Sequence, residues 1–262
     1  MQFRGSFYSP ALQMQTHLTV IGQDMSENQP QTDTPYRVVY LLHDDGGNAD
    51  SWAENTRLTA YAQQYHTLFI MPEVERSLYC DMRYGARYFT YLAQELPQFC
   101  RSLFHISATR EDTAVIGGGV GAYGALKCAL TYPECFGICV SLAPRLLFLN
   151  EELDDMRYAT ENLDPALTQQ CTAIFGTELC LCPQDHLLRL LEGCLLQNKP
   201  FPRLLLTDDD TETNDTTRLC ASLGSLGLPF EFHHQYKQAF PSNWLYLDDA
   251  LQNALEWLER NE

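Results

Sequence analysis

Two acidic clusters and a few scattered nucleophiles are the first places to look for chemistry. His43-Asp44-Asp45 and Asp208-Asp209-Asp210 each follow an apolar run. Oxygen-rich clusters of this kind suit Mg²⁺ or Ca²⁺. Solvated acidic turns explain them with less, so no metal and no cofactor is assigned. Ser77, Cys80 and Tyr123 carry atoms that can attack an electrophile. A cysteine nucleophile needs a neighbouring base or an electropositive setting, and none is visible around Cys80. Each of the three also has a plain structural use: Ser77 in a turn, Cys80 as a small apolar filler, Tyr123 packing in a helix first turn. The ten cysteines are irregularly spaced, and Cys180-Leu181-Cys182 is too tight for the usual zinc pair. Most sit among apolar neighbours, which predicts buried, reduced thiols in a cytoplasmic protein.

The elements that must position these groups are legible as a pattern. Tyr36–Leu42, Thr67–Met71, Thr113–Ile116 and Leu204–Thr207 are short apolar runs that stop at polar or glycine-rich turns. Continuous runs of this length fit fully buried parallel strands. Helical stripes lie between them. Ala122, Ala125, Leu126, Ala129 and Leu130 recur at helical spacing right after the glycine turn at 117–119. Phe89, Leu92, Leu96 and Phe99 mark a second helix with an expected kink at Pro97, and Trp244, Leu247, Leu251, Leu255 and Leu258 mark a C-terminal one. Strands alternating with helices predict a single α/β domain over 1–262, with a mostly parallel central sheet covered on both faces. Residues 146–200 are helix-rich and are read as a small helical cap or lid insertion. Ligands of such sheets bind at the C-terminal strand ends, so the loops at 43–52, 72–82, 117–123, 208–215 and 235–244 should line the site.

Bulk composition excludes several classes of partner. The chain has 262 residues, 17 Lys and Arg against 34 Asp and Glu, and a formal charge of −17. Nucleic acid and anionic membranes would be repelled. No apolar run reaches the length of a membrane helix, and the Met1-Gln2-Phe3-Arg4-Gly5 start does not read as a signal peptide. The oligomeric state stays open, a homo-oligomer included.

Several longer stretches carry a resemblance. MPEVERSLYCDMRYGARYFTYLAQELPQF (71–99), HDDGGNADSW (43–52), GGGVGAYGALKCAL (117–130) and ALQNALEWL (250–258) occur in one order along the chain. Together they resemble the tributyrin-esterase branch of the esterase D, or S-formylglutathione hydrolase-like, family. The resemblance implies an α/β-hydrolase fold and an ancestral carboxylester hydrolase. That chemistry uses a serine on a G-x-S-x-G turn between strand and helix. The next backbone N–H helps bind the oxyanion, a histidine takes the serine proton, and an acid orients the histidine.

Matched residue by residue, the chain departs from that pattern in three loops. The turn reads Gly117-Gly118-Gly119-Val120-Gly121, so the nucleophile position is Gly119 and Val120 is the expected oxyanion donor. The histidine position before Trp244 is Ser242. His233 and His234 lie some ten residues earlier in an expected strand, where ordinary partly buried histidines are the simpler reading. The acid position is Asp210 or Asp209. The oxyanion loop, usually His-Gly, reads His43-Asp44-Asp45. A carboxylate at 44 has the wrong sign for a site that stabilises developing negative charge, where well-placed donors are worth roughly 3–4 kcal/mol. Glycine at 119 relieves the backbone strain of the turn. The expectation is a non-hydrolytic pseudoenzyme with a binding or interaction role. The alternative is a tributyrin- or acyl-esterase-type hydrolase with a substitute constellation drawn from Cys80, Ser77 and Tyr123. The pocket is expected among Tyr123, Trp244, Ser77 and Cys80, and the acidic rims predict a small neutral or cationic ligand.

Overall fold

The computed structural model describes residues 1–24, 33–158, 164–208, 215–234 and 243–260. Eight strands form one sheet: β1 (Gln2–Ser9), β2 (Met14–Ile21), β3 (Arg37–Leu42), β4 (Thr67–Pro72), β5 (Thr113–Gly118), β6 (Ile138–Leu142), β7 (Arg203–Asp208) and β8 (Glu231–His234). Their spatial order is β1-β2-β4-β3-β5-β6-β7-β8. The β1–β2 and β2–β4 pairs are antiparallel and every pair from β4 to β8 is parallel. β3, β4 and β5 are the apolar runs expected from sequence, and β3, β5 and β6 sit in the middle with both faces covered. This is the α/β-hydrolase arrangement.

Ten α-helices are described: α1 (Ser51–Asn55), α2 (Leu58–Tyr61), α3 (Tyr88–Thr90), α4 (Leu96–Leu103), α5 (Val120–Thr131), α6 (Leu149–Tyr158), α7 (Pro165–Phe175), α8 (Leu187–Leu196), α9 (Asp215–Ser225) and α10 (Asn243–Glu259). They split into two cores, one on each face of the sheet. One gathers Tyr91, Leu96, Tyr123, Leu126 and Leu191, and the other gathers Trp52, Leu58, Tyr246, Leu251 and Leu255. Helix α5 is buried from Val120 to Leu130, because it runs between the sheet and α8. The helix around Phe89 runs on past Pro97 as α4. It widens through a π turn at Tyr91–Glu95 just before Pro97, the kind of local adjustment that accommodates a proline's missing N–H. Among the described residues no helix is long and apolar enough to cross a membrane.

Three strands went unread in the sequence. β1 and β2 form an edge hairpin in which exposed and buried residues mix, so they lack the apolar signature of the central strands. β6 is only five residues long. It matters for the site, because β6 lies beside β5 and the turn after it meets the glycine turn.

Candidate functional site

The glycine turn has the backbone of a nucleophile elbow. β5 ends at Gly118, α5 starts at Val120, and Gly119 between them has φ 60° and ψ −120°. A side chain at such angles is strained by about 1–3 kcal/mol, and glycine is not. The flanking Gly121 is required by close approach, since a Cβ there would fall 2.7 Å from the His43 carbonyl. Gly119 is fixed from the neighbouring strand end. Its N–H donates to the Leu142 carbonyl at 3.1 Å, and its own carbonyl accepts from the Arg145 N–H at 3.1 Å.

Asp44 fills the space that the missing side chain would take. A Cβ placed on Gly119 would stand 2.5 Å from the Asp44 Cγ and 2.6 Å from its Oδ2, with Oδ1 closer still. The Asp44 Oδ1 accepts from the backbone N–H of Val120 at 2.8 Å and of Asp45 at 2.9 Å. Its Oδ2 accepts from the Arg145 guanidinium. The donors that a serine hydrolase would aim at a substrate oxyanion are here closed on a carboxylate of the chain itself. Val120 therefore stands where sequence placed it, with an internal acceptor.

The two aspartates of the oxyanion loop are paired rather than bare. Asp44 meets Arg145, and Asp45 meets Arg76 at 3.2 Å and the Gln170 side-chain amide at 3.0 Å. Arg76 also donates to the Gln170 side-chain oxygen, and Gln170 donates to the Arg76 carbonyl at 3.0 Å. Helix α7 is thereby tied across the oxyanion loop. Asp44 and Asp45, two of the five aspartates behind the expected neutral or cationic ligand, thus carry cationic or amide partners. Behind the loop His43 is buried, its Nδ1 2.8 Å from the Asp44 carbonyl, while its Nε2 accepts from the Val74 N–H at 3.3 Å. Trp52 donates from its indole to the Leu42 carbonyl at 3.0 Å and meets Trp244 edge-on at 5.6 Å between centroids. Trp244 is half-buried.

The three expected substitute nucleophiles do not line a pocket. Ser77, Cys80 and Tyr123 are 0%, 1% and 0% exposed. Ser77 caps its own turn by accepting from the Tyr79 N–H at 3.2 Å. Tyr123 donates to the Asp185 carbonyl at 2.7 Å. Burial pushes the Cys80 thiol up to about 12, so it holds its proton at neutral pH. The 72–82 loop turns inward because it packs against α5, whose Lys127 is itself fully buried. The Lys127 ammonium donates to the Tyr79 carbonyl at 2.8 Å and to Asp185, and lies 4.0 Å from the Phe89 ring centroid.

Arg145, which sequence reasoning passed over, and His234, which it read as an ordinary partly buried strand histidine and which is exposed, belong to the region. Arg145 follows β6, and its only signal was a strand too short to read. His234 ends β8, and its Nδ1 lies 2.7 Å from the Asp208 Oδ1 at the end of β7. Asp209, Asp210 and Ser242, the expected acid and base positions, lie outside the described residues. A groove of about 490 Å³ runs beside β1 and β2, lined by Arg4, His17, Thr19, Asn48, Asp50 and Glu73. A smaller one of about 250 Å³ touches Thr207, His233, His234 and Arg260. Neither is lined by Gly119 or Asp44.

Comparison with known proteins places this geometry. Residues 27–157 match the family described as "Putative esterase". An acetyl esterase of Caldicellulosiruptor saccharolyticus is 31% identical over 267 residues, covering 97% of both chains. The chain belongs to the esterase family. Among solved structures this family member is similar to the S-formylglutathione hydrolase FrmB of Staphylococcus aureus, 25% identical with a TM-score of 0.81 over 98% of each chain. It is also similar in fold to FphF, a fluorophosphonate-binding serine hydrolase of Staphylococcus aureus, 24% identical with a TM-score of 0.83 over 98% of each chain. The resemblance read from sequence and the α/β-hydrolase fold therefore both hold.

Proposed function

We propose that this esterase-family protein does not hydrolyse esters by the serine route and keeps the fold for binding or association. The observation that carries the reading is the Asp44 carboxylate lodged against Gly119, where it takes up both the space of a nucleophile and the oxyanion donors. Loss of the nucleophile alone would leave those donors open. Their closure removes the residual catalysis that binding and an oxyanion hole can give without a triad.

A second reading is a carboxylic-ester hydrolase with a substitute constellation. The comparisons taken by themselves favour it, since the relative that is 31% identical along almost the whole chain is an acetyl esterase, and nothing in them speaks for lost residues. With Ser77, Cys80 and Tyr123 buried, the group it would have to use beside the elbow is the Asp44 carboxylate. Nitrophenyl acetate and butyrate hydrolysis by the wild type and by Asp44→Asn decides between the two. The non-hydrolytic reading expects both at the background of an unrelated protein, with no fluorophosphonate labelling. Saturable turnover that disappears in Asp44→Asn would establish the second reading in its place.

A further inference from the structure

β1 is one edge of the sheet, and its main-chain groups point alternately inward and outward. The Met1 amino group donates to the Gly22 carbonyl at 2.8 Å, and the Gly22 N–H donates back to the Met1 carbonyl at 3.0 Å. In an antiparallel pair such mutual exchanges recur at every second residue. In the same register Phe3 faces Val20, Gly5 faces Leu18 and Phe7 faces Thr16, so these turn their main-chain groups toward β2. Gln2, Arg4, Ser6 and Tyr8 turn theirs out of the sheet. Among the described residues no main-chain group meets them there.

Edge strands usually carry a device against pairing: shortness, a proline, a lysine, a bulge or a cover. β8, the opposite edge, is four residues long. β1 is eight residues long, has no proline or lysine, and pairs with β2 one to one without a bulge. Its single charge, Arg4, is tied to Asp50 at 2.7 Å and to Glu54 at 3.3 Å. In a chain of charge −17 this strand has no carboxylate. It also shows apolar surface, with Phe3 49% and Tyr8 61% exposed.

The strand fits a second copy of itself. Two free edges bond only where outward residues face outward residues. The antiparallel register that does this along the whole strand puts Gly5 on a twofold axis. Gln2 then faces the partner's Tyr8 and Arg4 faces the partner's Ser6, which gives about eight main-chain hydrogen bonds. Phe3 faces the partner's Phe7, an aromatic cross-strand pair, on the side where Phe7 stacks on Phe99 at 3.7 Å. At the axis the two glycines form a close pair without hydrogen bonds. The Phe3 ring already lies over this spot, since a Cβ on Gly5 would stand 2.6 Å from it. We propose that β1 is the interface of a twofold homodimer, in which two copies pair β1 with β1 about Gly5 and their sheets become one. The pairing stands whether or not the chain turns over esters.

Sedimentation of the wild type, Ser6→Pro and Phe3→Glu tests it, in salt that brings the Debye length to about 8 Å and screens two acidic copies from each other. Proline at 6 removes an outward N–H and no bond to β2, a position where edge strands accept it. At about 100 μM, above a micromolar Kd, the wild type should be a dimer and Ser6→Pro, melting cooperatively, a monomer. A monomeric wild type overturns the proposal, as does a folded Ser6→Pro that keeps the wild-type mass. Should Ser6→Pro fail to fold, Phe3→Glu on the exposed side chain decides in the same way. Amide exchange checks the register. The Arg4, Ser6 and Tyr8 amides should exchange slowly in the wild type and at least tenfold faster in Phe3→Glu, while those of Gly5 and Phe7 stay slow in both. Equal exchange of Arg4, Ser6 and Tyr8 in the two proteins overturns the pairing.

Discussion

His234 and Asp208 end neighbouring strands as register partners, and their side chains meet at 2.7 Å. They form a close acid–histidine ion pair, in the wrong place to serve the elbow. Gly118 registers with Leu142, Leu142 with Thr207, and Thr207 with His233. Three strand spacings thus separate the elbow from β8, about 14 Å. A histidine side chain on the strand itself does not span that distance. Asp44→Gly/Gly119→Ser should therefore show no nitrophenyl butyrate hydrolysis above background, and Ser242→His is the least further change that yields any. Turnover in the double variant that is lost on adding His234→Ala would show that the strand histidine reaches the elbow after all.

Gly119 and Asp44 should be energetically coupled. Gly119→Ser alone adds backbone strain and drives its Cβ into the Asp44 carboxylate, a combined loss of about 2–4 kcal/mol. On an Asp44→Gly background the same substitution meets only the strain, about 1–3 kcal/mol. A double-mutant cycle by urea unfolding should give a coupling of about 1 kcal/mol or more, whereas independent sites add within about 0.5 kcal/mol.

Lys127 and Asp185 form a buried ion pair with side chains 0% and 4% exposed. Lys127→Ala leaves the buried Asp185 carboxyl without its ammonium partner, and should cost about 3–5 kcal/mol. Lys127→Met combined with Asp185→Leu removes both charges and should cost much less. Equal losses for the two variants in chemical unfolding would show that packing, not charge pairing, decides the site.

Glu73 gives the oxyanion loop a dependence on acid. Burial raises its pKa, but the His43 ring 3.5 Å away and hydrogen bonds from the Glu75 and Ala49 N–H groups together outweigh burial and bring it below its ordinary 4.5. A carboxyl depressed in the folded state contributes stability above its unfolded value and loses it as pH falls through the folded one. The wild type should accordingly lose stability on acidification below about pH 4.5. Glu73→Gln should be less stable at neutral pH and show a shallower acid limb in melts between pH 3 and pH 6.

The central sheet was legible because β3, β4 and β5 must be apolar on both faces, so their runs stand out. β7 was legible for the same reason. The edge hairpin Gln2–Ile21 has one side in water and lost that signal. The elbow was legible at Gly119 because spacing alone places it after β5. What Asp44 does there was not, since strand register puts residues 44 and 119 at neighbouring strand ends without saying which way a side chain turns. Arg145 was hidden by the unread β6. The inward turn of Ser77 and Cys80 depends on a buried lysine, and helical spacing in α5 does not distinguish a buried Lys127 from an exposed one.

The exclusion between Asp44 and any side chain at 119 also gives the two positions a history. Starting from the family pattern of glycine at 44 and serine at 119, an aspartate arriving first would have been forced against the serine. Glycine arriving first at 119 leaves a hollow that the aspartate can then occupy without strain. On the proposed non-hydrolytic reading, disarming precedes sealing. Once both changes are in place the way back is obstructed at either end: a reversion at 119 lands on the carboxylate, and a reversion at 44 leaves an arginine and two N–H groups facing an empty cradle. A serine elbow with an open oxyanion site is then rebuilt only by changing both positions together, which makes the pair a ratchet against return.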